Sequence, residues 1–270
     1  QERVAAQLRA VAVTAYDDAS EAVEAGVKDG SLLRGEVLAR WQDVVGTSDL
    51  LRALQVRVGR ARDAVGAAVR GRQRPTDELA VALESGVEAL VLAEADRAAE
   101  RTAAAWRAAP AGRALLAQVP AADRVSQELR ERVGRTVRDW QGGVLELVRR
   151  EGGGRKRSAQ FLAYGVNGVG LAVMVAVFAS TGGITGGEVV VAGGASALSQ
   201  KVLEALLGDQ AVRALATRAR EDLRERVDAL LAQERERFTA PLDAQLGEGT
   251  SSRELLQAAR GVAALAEGTR

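Results

Sequence analysis

Cysteine and histidine are both missing from the 270 residues of this chain. Without them there are no disulfides, no thiolate or imidazole metal sites, no cysteine nucleophile and no triad built on an imidazole base. Aromatic residues are scarce at 3%, while Ala and Val are abundant and Arg greatly outnumbers Lys, the composition of a long-helix architecture. Sustained period-two alternation is absent, which leaves nothing to build a sheet from, and no fixed repeat marks a solenoid. The expectation is an all-α protein: an elongated antiparallel helical bundle with an apolar helical hairpin. The charges nearly cancel, 37 basic against 36 acidic, so no global field draws the chain to nucleic acid and any binding by charge has to be local. The opening QERVAAQLRAVAVTAYDDAS lacks the basic start, apolar centre and cleavage site of a secretory signal. A cytoplasmic chain is expected, and Gln1 in first place implies a processed chain or one cut from something longer.

One helix is expected from Gln1 to about Lys28, ended at Asp29-Gly30. A second, SLLRGEVLARWQDVVG, places Leu33, Val37, Trp41 and Val44 on one face. In a third, Leu51, Leu54, Val58, Ala61, Val65 and Ala68 step by three and four, as in a seam between paired helices. Pro75 restarts the chain into a long helix toward Arg107, with Leu79, Leu83, Val87, Leu90 and Ala93 along one side. Pro110 and Pro120 bracket a short broken segment. From about Ala121 another helix carries Leu129, Val133, Val137, Trp140, Val144 and Leu147, weakened locally at Gly142 and Gly143. Beyond residue 208 charged amphipathic helix returns, with Leu223, Val227 and Leu230 inward; Pro241 and Gly247 close it, and Ser251 with Glu254 boxes the start of a short final helix.

Against this charged background, residues 158–187 contain no charge at all. Phe161 to Ala179 would make about 28 Å of helix, just enough to span a hydrocarbon core. Phe161 and Tyr164 lie near one end and Phe178 near the other, where interfacial aromatics belong. STGGIT at 180–185 reads as a turn, after which Thr185 and Glu188 form a capping box. Glu188, the lone charge of 165–196, is thereby a helix-start group. The second arm stays uncharged only from Val189 to Gln200, short for a crossing. Small residues at Ala172, Ala176 and Ser180, and at Ala192 and Ser196, let the arms approach closely. Two settings fit such a hairpin: the central pair of a soluble bundle, or a segment presented to lipid.

In the second setting the first arm meets lipid through Phe161, Leu162, Tyr164, Val169, Leu171, Val173, Met174, Val177 and Phe178. Ile184 at the turn and Val189, Val190 and Val191 on the second arm complete that surface. The run RREGGGRKR would hold Arg149, Arg150, Arg155, Lys156 and Arg157 near anionic head groups, and Gly152, Gly153 and Gly154 would be a hinge.

The sequence presents no catalytic motif. GGGRKRS lacks phosphate-loop spacing, and Gly165, Gly168 and Gly170 follow no strand that could make them a dinucleotide fingerprint. Asp17-Asp18 and Glu221-Asp222 fall on solvated helix faces, where ion pairing is their expected role. Trp41, Trp106 and Trp140 are read as core anchors rather than stacking platforms.

Two stretches, SLLRGEVLARWQDVVGTSDLLRALQ at 31–55 and 163–238 beginning AYGVNGVGLAVMVAVF, resemble the C-terminal helical half of actinobacterial dynamin-like GTPases. The resemblance implies a helical neck and trunk over 1–150, a basic hinge and membrane-paddle hairpin over 151–207, and a returning trunk helix with a short C-terminal helix over 208–270. It also implies membrane remodelling at the inner face of the cell membrane, with lipid, a GTPase domain and further copies of the chain as partners. GTP and Mg²⁺ are implied only for that GTPase domain, because no phosphate loop, Mg²⁺-binding Asp or guanine-reading motif is present in these residues; no cofactor and no catalytic residue is expected in them. The alternatives are a two-helix integral membrane anchor on a coiled-coil scaffold and a wholly soluble helical interaction domain.

Overall fold

The computed structural model describes residues 2–28, 39–40, 73–152, 168–179 and 208–267. Most of them fall in six α-helices: α1 Glu2–Lys28, α2 Gln73–Ala108, α3 Pro110–Leu116, α4 Gln127–Gly152, α5 Gly168–Ala179 and α6 Asp209–Glu267. No strand occurs among the described residues, and the helices pack as a bundle. Apart from residues 39–40, which are helical, the expected helix at 31–46 lies outside the described residues, as do the helix at 47–70, Trp41, the Asp29-Gly30 stop, the turn at 180–185 and the Thr185–Glu188 box.

The chain forms two compact units. The first comprises Gln1–Ala19, Glu94–Gln127 and Leu230–Arg270. Its core is built largely from small residues on α1 and α2, among them Ala12, Ala15, Ala95, Ala98, Ala99 and Ala103, which let helix backbones approach. Trp106 fills the remaining space. It meets Phe238 edge-on at 5.6 Å between ring centroids, and its indole N–H donates to the Leu8 carbonyl at 3.0 Å. Gly112 of α3 is needed for a close approach: a Cβ there would stand 2.3 Å from the Trp106 carbonyl oxygen.

The second unit comprises Ser20–Ala93 and Glu128–Ala229. Here α4 buries Leu129, Val133, Val137, Trp140, Val144 and Val148 at helical spacing, and α2 buries Leu79, Leu83, Val87 and Val91. Trp140 is fully enclosed and donates to the Ala219 carbonyl at 2.7 Å. Both described tryptophans are therefore core anchors whose polar atom is satisfied by backbone.

Several boundaries and faces differ from the sequence expectation. On α2 the buried stripe passes through Val91 and Ala95, leaving Leu90 half-buried and Ala93 exposed. Val148, not Leu147, closes the α4 stripe. α4 starts at Gln127 rather than near Ala121, because Ala121 takes a left-handed φ of 48° that no helix continues through. α6 runs through Pro241 and Gly247 to Glu267, absorbing the separate short helix expected from Ser251. A proline inside a helix costs about 3 kcal/mol. Here Phe238 and Leu242, on either side of it, are 0% and 2% exposed, and their burial offsets that cost. Gly208, φ +86°, directly precedes α6, and its carbonyl accepts the Val212 N–H at 3.0 Å.

Candidate functional site

α5, GVGLAVMVAVFA, has 12 residues and no charge. It spans roughly 18 Å, against about 30 Å for a hydrocarbon core. Among the described residues no helix is long and apolar enough to cross a membrane. Ala172 through Ala179 are all buried, which over more than two turns means that every face of the helix is covered. Val173, Met174 and Phe178 are 7%, 6% and 6% exposed, and Val177 is 1%. Four of the expected lipid-contacting residues are thus enclosed together on one short helix. Val169 and Leu171 belong to the same helix by backbone. Phe161, Leu162, Tyr164, Ile184, Val189, Val190 and Val191 lie outside the described residues.

The C-terminal end of α5 is met by a cation. Arg220 of α6 donates from Nε to the Ala179 carbonyl at 3.1 Å. The last carbonyls of a helix lack intrahelical partners and carry the negative end of its dipole, so a guanidinium suits that position. Burial pushes the Arg220 pKa down, and the Glu24 carboxylate acts the other way. Its Nη2 is enclosed and has no hydrogen-bond partner among the described residues. Glu24 bonds Lys28 at 2.5 Å and faces Arg224 at 3.7 Å. The Lys28 bond, aided by these cations, holds the Glu24 carboxyl below its ordinary range against some desolvation. Arg220, Glu24, Val23, Val27 and Leu223 line a cavity of about 20 Å³, room for one water and not for a ligand.

Of the expected head-group residues, Arg149 and Arg150 are exposed near the end of α4, with Arg149 paired to Glu146 at 2.6 Å. Gly152 is the last residue of that helix. Arg155, Lys156, Arg157, Gly153 and Gly154 lie outside the described residues. The paired carboxylates serve as ion-pair partners: Asp17 to Arg235 at 3.3 Å, Asp18 to Arg101 at 3.1 Å and Asp222 to Arg226 at 2.9 Å.

A second polar group, unforeseen from the sequence, sits in the first unit. The Glu234 side chain is 3% exposed and accepts from the Ser126 backbone N–H at 2.8 Å and the Ser126 hydroxyl at 2.5 Å, while pairing with Arg237. Asp96 accepts the Val125 N–H at 2.7 Å, and Arg237 donates to the Pro120 carbonyl at 2.6 Å and the Arg124 carbonyl at 3.2 Å. Every one of these bonds ties down the turn at 119–126. The signal was Glu234 itself, a carboxylate at the helical position between Leu230 and Phe238 where an apolar residue belongs. Nearby, the Tyr16 hydroxyl is buried without a partner. Burial, and then the Glu234 charge, push its pKa above the ordinary tyrosine value, so it stays a neutral phenol. No group of acidic side chains is placed to hold a metal ion among the described residues.

Fold and site together define a class: a helical bundle that encloses an uncharged helix under a guanidinium. No family model, curated protein or solved structure matches the chain.

Proposed function

We propose that the chain is the helical stalk of a membrane-remodelling machine of the bacterial dynamin-like kind, with α5 and its flanking apolar sequence as the lipid-contacting segment. One observation carries the reading: among the described residues, a helix without a single charge is kept enclosed while the long helices all have polar faces. An apolar helix held in reserve avoids the aggregation that a large exposed patch invites. GTP binding and hydrolysis, with Mg²⁺, would belong to a GTPase domain acting with this chain, and nucleotide-driven motion would deliver the segment to lipid at the inner face of the cell membrane. Arg149 and Arg150, exposed at the end of α4, would meet anionic head groups there.

Flotation with vesicles containing phosphatidylglycerol tests it. The chain is expected to float, and to float less as salt shortens the screening length from about 30 Å at 0.01 M to about 8 Å at 0.15 M. A chain that stays at the bottom of the gradient at every ionic strength overturns the reading. The complete enclosure of 172–179 favours a second reading, a helical interaction scaffold in which α5 is permanent core. That scaffold would not float. Flotation that survives both high salt and carbonate extraction would point instead to an integral anchor.

A further inference from the structure

We propose that Arg220 is a latch that holds α5 enclosed, and that removing its guanidinium frees the apolar helix while the rest of the second unit stays folded. The latch rests on the membrane reading for its purpose, though not for its test. Arg220 and Ala179 are 41 residues apart in sequence, and the 3.1 Å bond between them ties α6 to the end of α5. That bond is made to the carbonyl of Ala179, the last residue of α5.

The guanidinium is poorly served in return. It has five donors, yet its enclosed Nη2 bonds to nothing among the described residues, so the hold on α5 rests on the single described bond from Nε to the Ala179 carbonyl. A closure that rests on one bond has only that bond to break when it opens, and a side chain without a donor leaves the buried Ala179 carbonyl without it. The guanidinium also has somewhere to go. Arg220 lines the small cavity together with Glu24, so once off Ala179 it can turn toward that carboxylate or take up the single water for which there is room. The charged groups around it are Glu24, Lys28, Arg224 and Asp228, and the last is held by the Ser20 hydroxyl.

The absence of cysteine from the whole chain makes the test direct. Val175→Cys puts one thiol at a position 1% exposed on α5, and Val133→Cys puts one at a position 0% exposed on α4. Each is labelled with a small maleimide in the full chain, with Arg220 retained or replaced as Arg220→Met. Losing one hydrogen bond from a charged donor should speed labelling at 175 roughly tenfold to a hundredfold, with labelling at 133 unchanged. Arg220→Lys, which keeps the charge and loses the planar fork, should fall between. Unchanged labelling at 175 overturns the latch, and so does an equal rise at 133, which would mean general unfolding. Flotation of the same variants with phosphatidylglycerol vesicles separates the two ideas. Faster labelling with greater flotation supports both; faster labelling with no flotation keeps the latch and sinks the lipid reading.

Discussion

The two compact units solve the problem of buried polarity in opposite ways. In the first, buried and half-buried charges are saturated: Glu234 accepts two bonds from Ser126, Arg237 reaches backbone carbonyls of the 119–126 turn, and Asp96 holds Val125. In the second, a charge-free helix is enclosed and the one guanidinium at its end makes a single described bond, leaving Nη2 bare. A fully satisfied network fixes its surroundings, because any displacement strands several groups at once. A half-satisfied contact has little to lose. On this contrast the first unit is expected to be the firmer one, with conformational freedom expected at α5.

The sharpest way to break this contrast is Glu234→Ala. If the network of the first unit is saturated, stranding Arg237 and the Ser126 N–H should cost about 3–5 kcal/mol, read as a large fall in the denaturation midpoint. A loss below about 1 kcal/mol would put the two units on an equal footing.

Trp106→Phe and Trp140→Phe sharpen the comparison from the apolar side. Each removes an indole N–H that satisfies a buried carbonyl, Leu8 in one unit and Ala219 in the other. Losses of about 1–3 kcal/mol are expected for both. A much smaller loss at 140 than at 106 would show that the second unit is loose throughout and not only at α5.

The smallest expected effect is at Tyr16, the one buried side-chain polar group without a hydrogen-bond partner among the described residues of the first unit. Its hydroxyl has no partner, so Tyr16→Phe should be neutral or stabilise by up to about 1 kcal/mol. The pH dependence has a definite sign. Because the folded chain disfavours the phenolate, the unfolded chain loses its proton first. Stability is then full below the ordinary tyrosine value of 10.0 and falls as pH rises above it. Denaturant titrations at pH 9 and 11 should show the drop in the wild type and less of it in Tyr16→Phe.

Much of the architecture was legible because helical periodicity is a local signal. α1 runs as one helix through Lys28 as expected, and Leu129, Val133, Val137, Trp140 and Val144 are the buried face of α4. What escaped was decided by partners distant in sequence. Pro241 reads as a stop, yet Phe238 and Leu242 are packed tightly enough to carry the helix through it. Ala121 reads as helix, yet Arg237, over a hundred residues away, bonds the carbonyls of the turn in which it adopts its left-handed angle. The stripe on α2 keeps stepping by four through Val91 and Ala95 where the expectation stepped by three to Leu90 and Ala93; a 3.6-residue turn allows either step, and the partner helices decide which neighbour is covered. At the site, the absence of charge marked α5 as unusual, but composition carries no information about enclosure. Arg220 looked like any other arginine on a charged helix, since only the fold brings Ala179 to it.

Gly208 shows how little is needed to aim the longest helix among the described residues. Its φ of +86° is one that L side chains rarely adopt, yet the space a Cβ would fill is open. The demand at this corner is for handedness, not for room. A mirror-image alanine would sit there at ease where its natural counterpart would strain, so the direction in which α6 sets out is governed by stereochemistry alone.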